Sequence, residues 1–88
     1  MIGYLYILQS EVNKRYYIGS TSHLENRLKE HNNGKSKYIS ITKPFKIVFK
    51  QDYKDILSAM KAERWLKKQK SKSLIVKIIK DNKLTKEF

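Results

Sequence analysis

Eighty-eight residues with 40% hydrophobic content suffice for a single domain with one modest core. The absence of cysteine excludes a disulfide framework, a thiolate metal site and a cysteine nucleophile. Twenty Lys and Arg against eight acids, a formal net charge of +12, point to a polyanionic partner, although charge says nothing about the fold.

The apolar start, Met1 to Leu8, is too short for a membrane span and lacks the basic head and cleavage site of a signal peptide. A soluble, cytoplasmic chain with no membrane partner is expected. Gly3–Gln9 and Arg15–Thr21 read as strands joined by a hairpin whose turn draws on Asn13-Lys14-Arg15. Ser22-His23-Leu24-Glu25 has the form of a capping box and predicts a helix from His23 to Asn32, stopped by Asn33-Gly34. Residues 33–43 are polar and basic and read as a loop. Pro44 precedes an alternating strand over 45–50 that can continue to Tyr53. Asp55 can cap a long helix from Ile56 to Lys70. In Leu74–Ile79 the β-branched residues suggest a strand, but apolar positions 74, 75, 78 and 79 suit a helix, which is the reading adopted. The domain is expected to span 1–81, with 82–88 as a frayed tail.

Two tyrosine clusters, Tyr4-Leu5-Tyr6 and Tyr17-Ile18-Gly19, lie on the paired strands with ten residues between them. Alternation puts Tyr4, Tyr6 and Leu8 on one face of the first strand, and Tyr17, Gly19 and Thr21 on one face of the second. Gly19 removes a side chain beside Tyr17, which suits a bulge or the close approach of another backbone. Taken alone, the tyrosines favour an ordinary aromatic cross-strand pair in a small core, and it is the following helix that shifts the balance. On the first helix Leu24, Arg27, Leu28 and His31 share a face. A guanidinium there needs a partner or a cleft that receives an anion, and His31 can be structural or functional. On the second helix Ile56, Ala59, Met60, Glu63 and Leu66 form one stripe with Glu63 at its centre. That carboxylate needs either a basic partner, with Arg27, Lys67 and Lys70 as candidates, or a hard divalent cation. Trp65 lies nearly opposite Glu63 and is expected to pack.

These residues together resemble the GIY-YIG nuclease superfamily, over Gly3 to about Ile79. The resemblance is closest to small stand-alone bacterial proteins similar to the amino-terminal nuclease domain of the excision-repair endonuclease. One departure is plain: Tyr4 stands where the family name has Gly. A late polar residue that steadies the family's site has no secure match, with Asn82 as the candidate. The resemblance implies an α/β (α+β) domain in the order β-β-α-β-α-α, with a three-stranded antiparallel sheet flanked by three helices. It implies metal-dependent hydrolysis of DNA phosphodiesters, structure-directed or nonspecific, in repair or recombination. Within it, Glu63 would hold a single Mg²⁺ or Mn²⁺ ion and Arg27 would clamp the phosphate. Tyr17, assisted by Tyr6, would deprotonate or orient water, and His31 would position the tyrosine or move a proton.

From residue 61 onward ten Lys or Arg face three acids. Lys67 and Lys70, with Lys35 and Lys37 in the loop, can track a DNA phosphate backbone, although for any single one of them a solvated, lysine-rich surface is the better explanation. Nothing in the sequence would read base edges. A monomer is expected. Two other readings compete with the nuclease: a catalytically weak nucleic-acid-binding module on the same scaffold, and a basic protein of a ribonucleoprotein.

Overall fold

The computed structural model describes residues 2–32 and 44–85; of His31 and Asn32 it describes only their place in a helix. Three strands, β1 (Gly3–Ser10), β2 (Tyr16–Thr21) and β3 (Phe45–Tyr53), and three helices, α1 (Leu24–Asn32), α2 (Ile56–Gln69) and α3 (Lys72–Asp81), follow in the expected order. The sheet is antiparallel throughout with β1 in the middle, β2-β1-β3. Among the described residues both β2 and β3 are therefore edges, and the strand that carries Tyr17 and Gly19 pairs on one side only.

The hairpin closes around Ser10. Its amide donates to Arg15 O at 3.0 Å, while its hydroxyl accepts from Val12 N at 3.1 Å and Asn13 N at 3.3 Å. Asn13 Oδ1 then accepts from Arg15 N at 2.9 Å. An Asn and a Ser that satisfy turn amides with their side chains are the local chemistry that makes this segment turn. Lys14 takes the left-handed conformation, φ 62°.

The two faces of the sheet differ. Leu5 and Ile7 point to the face where Phe49, Ala62, Leu66, Ile78 and Leu84 form the core under α2 and α3. Tyr4, Tyr6 and Leu8 point to the other, which they share with Tyr17 and Gly19 by register (Leu8 opposite Tyr17, Tyr6 opposite Gly19). The helix α1 packs on this second side against β3. A bulge between Ile7 and Leu8, with Val48 as the extra residue of β3, bends the sheet. Gly3 is required by packing: a Cβ there would stand 2.5 Å from the Cα of Ile56, where α2 begins.

Helix starts follow side-chain capping. Thr21 Oγ1 accepts from His23 N at 3.0 Å, so α1 is tied one residue ahead of the Ser22 expected to cap it. Asp55 accepts from Ser58 N at 2.8 Å. That bond first, then the charges of Lys54 and Lys61, lowers the Asp55 carboxyl below its ordinary value. Ser71 accepts from Leu74 N at 3.1 Å, and this cap settles the 74–79 ambiguity: once the chain restarts as a helix, Leu74, Ile75 and Ile79 pack on the core. Ser71→Ala is expected to cost about 1 kcal/mol, and roughly 4–8 °C of thermal midpoint in a domain of this size. An unchanged midpoint on calorimetry would mean the cap contributes nothing.

Two expectations fail here. The chain beyond Asp81 is not a frayed tail through its described part. Asn82 closes α3 in the left-handed conformation, and Leu84 is buried at 7% exposure. Gln51 clamps Leu84 from β3, its Oε1 accepting from Leu84 N at 2.9 Å and its Nε2 donating to Leu84 O at 3.0 Å. A side-chain amide thus makes the two bonds a neighbouring strand would make, a substitution that sequence periodicity cannot reveal. The buried stripe of α2 is also rotated from the expected one. It runs through Ser58, Ala59, Ala62 and Leu66, with Met60 exposed, because the small residues let the helix lie close to the sheet. Glu63 consequently flanks the stripe. Trp65 does pack against the core.

Candidate active site

Tyr6 comes from the central strand, is 5% exposed, and crosses the neighbouring strand at Gly19. A Cβ at Gly19 would collide with the Tyr6 hydroxyl and stand 2.5 Å from its Cζ. The glycine is needed for space, and what approaches it is a side chain rather than the backbone expected from sequence. Tyr17, on the same face of β2, packs edge-on to Phe45 with ring centroids 5.0 Å apart. The two tyrosines line a cleft of about 320 Å³ together with Leu8, Tyr16, Ile18 and Lys67. Side chains of both parities from β2 contribute, so the cleft wraps around the free edge of that strand.

Glu63 reaches this edge from the other layer. Its Oε1 accepts from Ser20 Oγ at 2.5 Å, and its Oε2 accepts from Lys67 Nζ at 2.7 Å. Glu63 is 24% and Lys67 55% exposed, so the pair is a solvated contact between neighbouring turns, not the buried ion pair that a carboxylate inside an apolar stripe would have required. Tyr6 and Tyr17 belong to one face and α2 to the other; they approach one another around the β2 edge, where Gly19 offers no side chain to separate them.

Arg27 is 46% exposed and 3.8 Å from Glu30. It stands clear of the buried stripe expected for it. Half-buried Leu24 and Leu28 anchor α1, and this orientation leaves Arg27 at the rim. Its charge nonetheless acts on Tyr6. Burial pushes the Tyr6 hydroxyl above the ordinary tyrosine value; Arg27 partly offsets this, and the carboxylates of Glu63 and Glu30 add to it. Tyr6 is therefore the point where the fields of α1 and α2 meet, and at neutral pH it keeps its proton.

Sequence reasoning missed two members of this group. Ser20 is a polar residue of opposite parity to Gly19 on an edge strand that faces a helix, a signal that a register assignment could have caught. Glu30, three residues after Arg27, was readable as its helical ion-pair partner. The side chain of His31, which follows Arg27 by one turn of α1, and the whole of Lys35 and Lys37 lie outside the described residues. Lys70 forms the left-handed cap of α2 and is exposed. Asn82 borders β3 beside Ile47, Val48 and Phe49, at the sheet edge opposite β2, which separates it from the cleft of Tyr6 and Tyr17.

Among the described residues no three His, Cys, Asp or Glu form a metal-binding group, and no helix is long and apolar enough to cross a membrane. The donor set fits a more modest cation site. Each oxygen of Glu63 keeps a lone pair beyond its bond to Ser20 or Lys67. One carboxylate suits a hard ion whose remaining ligands are phosphate and water.

The family model described as the GIY-YIG catalytic domain matches residues 2–83. A UPF0213 protein of Lactococcus lactis subsp. cremoris is 33% identical over 86 residues, 97% of this chain and 87% of the relative. The UPF0213 protein YazA of Bacillus subtilis is 31% identical over 83 residues, 91% and 83% of the two chains. One from Streptococcus pneumoniae serotype 4 is 38% identical over 68 residues, 76% and 68%. No solved structure matches the chain at significance.

Proposed function

We propose that this chain, which belongs to the GIY-YIG catalytic domain family, is a divalent-metal-dependent endonuclease that hydrolyses DNA phosphodiester bonds. The observation that carries the proposal is the pairing of a partly exposed carboxylate, Glu63, with the tyrosine cleft at the free edge of β2. The substrate is structured or nonspecific DNA, because recognition rests on phosphates and nothing in the cleft presents a pattern for base edges. A setting in repair or recombination follows from the resemblance to the excision-repair endonuclease.

Glu63 would hold the cation, with Ser20 fixing one of its oxygens. When bound, Mg²⁺ or Mn²⁺ supplies Lewis-acid charge at the scissile phosphate. Arg27, exposed at the rim, offers its planar fork to the same phosphate, a contact that strengthens as negative charge accumulates. Tyr6, protonated at neutral pH, orients the water by hydrogen bonding. Tyr17 accepts the water's proton, and His31 serves that tyrosine from α1.

Nicking of supercoiled plasmid by purified protein, dependent on Mg²⁺ or Mn²⁺ and stopped by chelation, is the expected result. Binding without metal-dependent nicking would leave the same scaffold as a catalytically weak nucleic-acid-binding module. That reading has one observation in its favour, since Lys67 already engages the carboxylate. Duplex affinity is expected to fall with salt at a log–log slope of about −4 to −5, the signature of four to six neutralised phosphates. Lys70→Ala should flatten the slope by about one without altering sequence preference, and a salt-independent affinity would rule out backbone tracking.

A further inference from the structure

Among the described residues Lys67 is the lysine that both pairs with an acid and lines the tyrosine cleft. Its ammonium sits 2.7 Å from Glu63 Oε2, and its side chain lines the cleft of Tyr6 and Tyr17. The acid precedes the base by four residues, the favourable order on a helix, but at 55% exposure of the lysine such a pair is weak and readily exchanged. The other carboxylate oxygen is held by a strand hydroxyl, Ser20 Oγ. Glu63 is thus anchored on one side and neutralised on the other by a long, mobile cation with two further donors.

We propose that Lys67 is a resident counter-ion that keeps the divalent cation off Glu63 until DNA arrives. A divalent ion approaching Oε2 meets the ammonium charge already there, and like charges at near-contact range repel. A phosphate entering the cleft offers Lys67 a second anion within reach of the same stem. The ammonium moves to the phosphate and Oε2 is released, so that the carboxylate would be free to hold the cation. Metal and DNA then bind with positive coupling, each raising the affinity of the other by the same factor. This inference rests on the reading of Glu63 as the cation's ligand.

The test is Mn²⁺ binding followed by water-proton relaxation, which needs no turnover. Without DNA, Lys67→Gln is expected to bind Mn²⁺ about tenfold more tightly than the wild type, the scale of a unit charge repelling a divalent ion at short range in water. Lys67→Arg, which keeps the charge, should behave as the wild type. Adding a short duplex should tighten Mn²⁺ binding to the wild type and narrow its gap to Lys67→Gln. Unchanged circular dichroism for the exposed Lys67 variants shows that the fold is intact. Equal Mn²⁺ affinity of wild type and Lys67→Gln, with Glu63→Gln much weaker, overturns the counter-ion role and leaves the Glu63 assignment standing. Equal affinity of Glu63→Gln and wild type overturns both.

Discussion

Glu63→Gln is expected to abolish cleavage while leaving the domain folded. The substitution preserves the shape and the acceptor for Ser20 Oγ but removes the charge that holds a hard cation. Loss of a Lewis acid at the phosphate is worth several kcal/mol, so nicking should fall by about 10³-fold or more. Stability should hardly move. The only ion pair described for Glu63 is with Lys67, and both side chains are solvated, a setting in which such pairs contribute about 1 kcal/mol or less. Had Glu63 been a buried partner of a cation, the same change would have cost several kcal/mol. Plasmid nicking beside thermal unfolding separates the cases: a large drop in midpoint, with residual cleavage tracking the folded fraction, would refute the metal assignment. DNA affinity should hold or rise slightly, because a negative charge near the phosphates is gone.

Gly19→Ala should damage both fold and chemistry through one collision. The added methyl would overlap the Tyr6 hydroxyl and ring, and Tyr6 is buried, so the ring cannot simply swing into solvent. Overpacking of this kind costs about 1–3 kcal/mol, several degrees to about 20 °C in a domain of this size. A displaced Tyr6 also moves the group that shares the cleft with Tyr17, and misplacement by about 1 Å can cost on the order of 10² in rate. A double-mutant cycle isolates the cause. Introduced on top of Tyr6→Leu, which removes the ring, Gly19→Ala should cost little further stability. Equal costs in the two backgrounds would place the damage elsewhere than the Tyr6–Gly19 contact.

Much of this protein is legible in the chain because its signals are local. Alternating tyrosines and aliphatics around the polar turn residues Asn13-Lys14-Arg15 point to a hairpin, and the apolar positions of 56–69 point to a helix. The two Tyr-containing strand motifs, followed at fixed distance by Arg27 and later by Glu63, were enough to identify the family and its expected chemistry. The net charge named the class of partner. Each of these depends on residues close in sequence or on spacing along one element.

The remaining features depend on distances between elements, which no periodicity encodes. Helical spacing put Glu63 at the centre of a stripe and Arg27 on a buried face. Which face is buried was decided by the small residues Ser58, Ala59 and Ala62, which seat α2 close to the sheet and turn Glu63 toward Ser20. The tail beyond Asp81 read as frayed because its anchor, Gln51, lies thirty-three residues away from Leu84. Asn82 was the late polar candidate taken from the sequence, but the strand order leaves it at the sheet edge opposite β2. Composition and spacing thus determined the elements and the family, and with it the candidate site residues. The tertiary structure decided that, among the described residues, Tyr6, Tyr17 and Glu63 lie around the outer edge of β2, where a glycine lets a side chain from one face come within electrostatic reach of a carboxylate from the other.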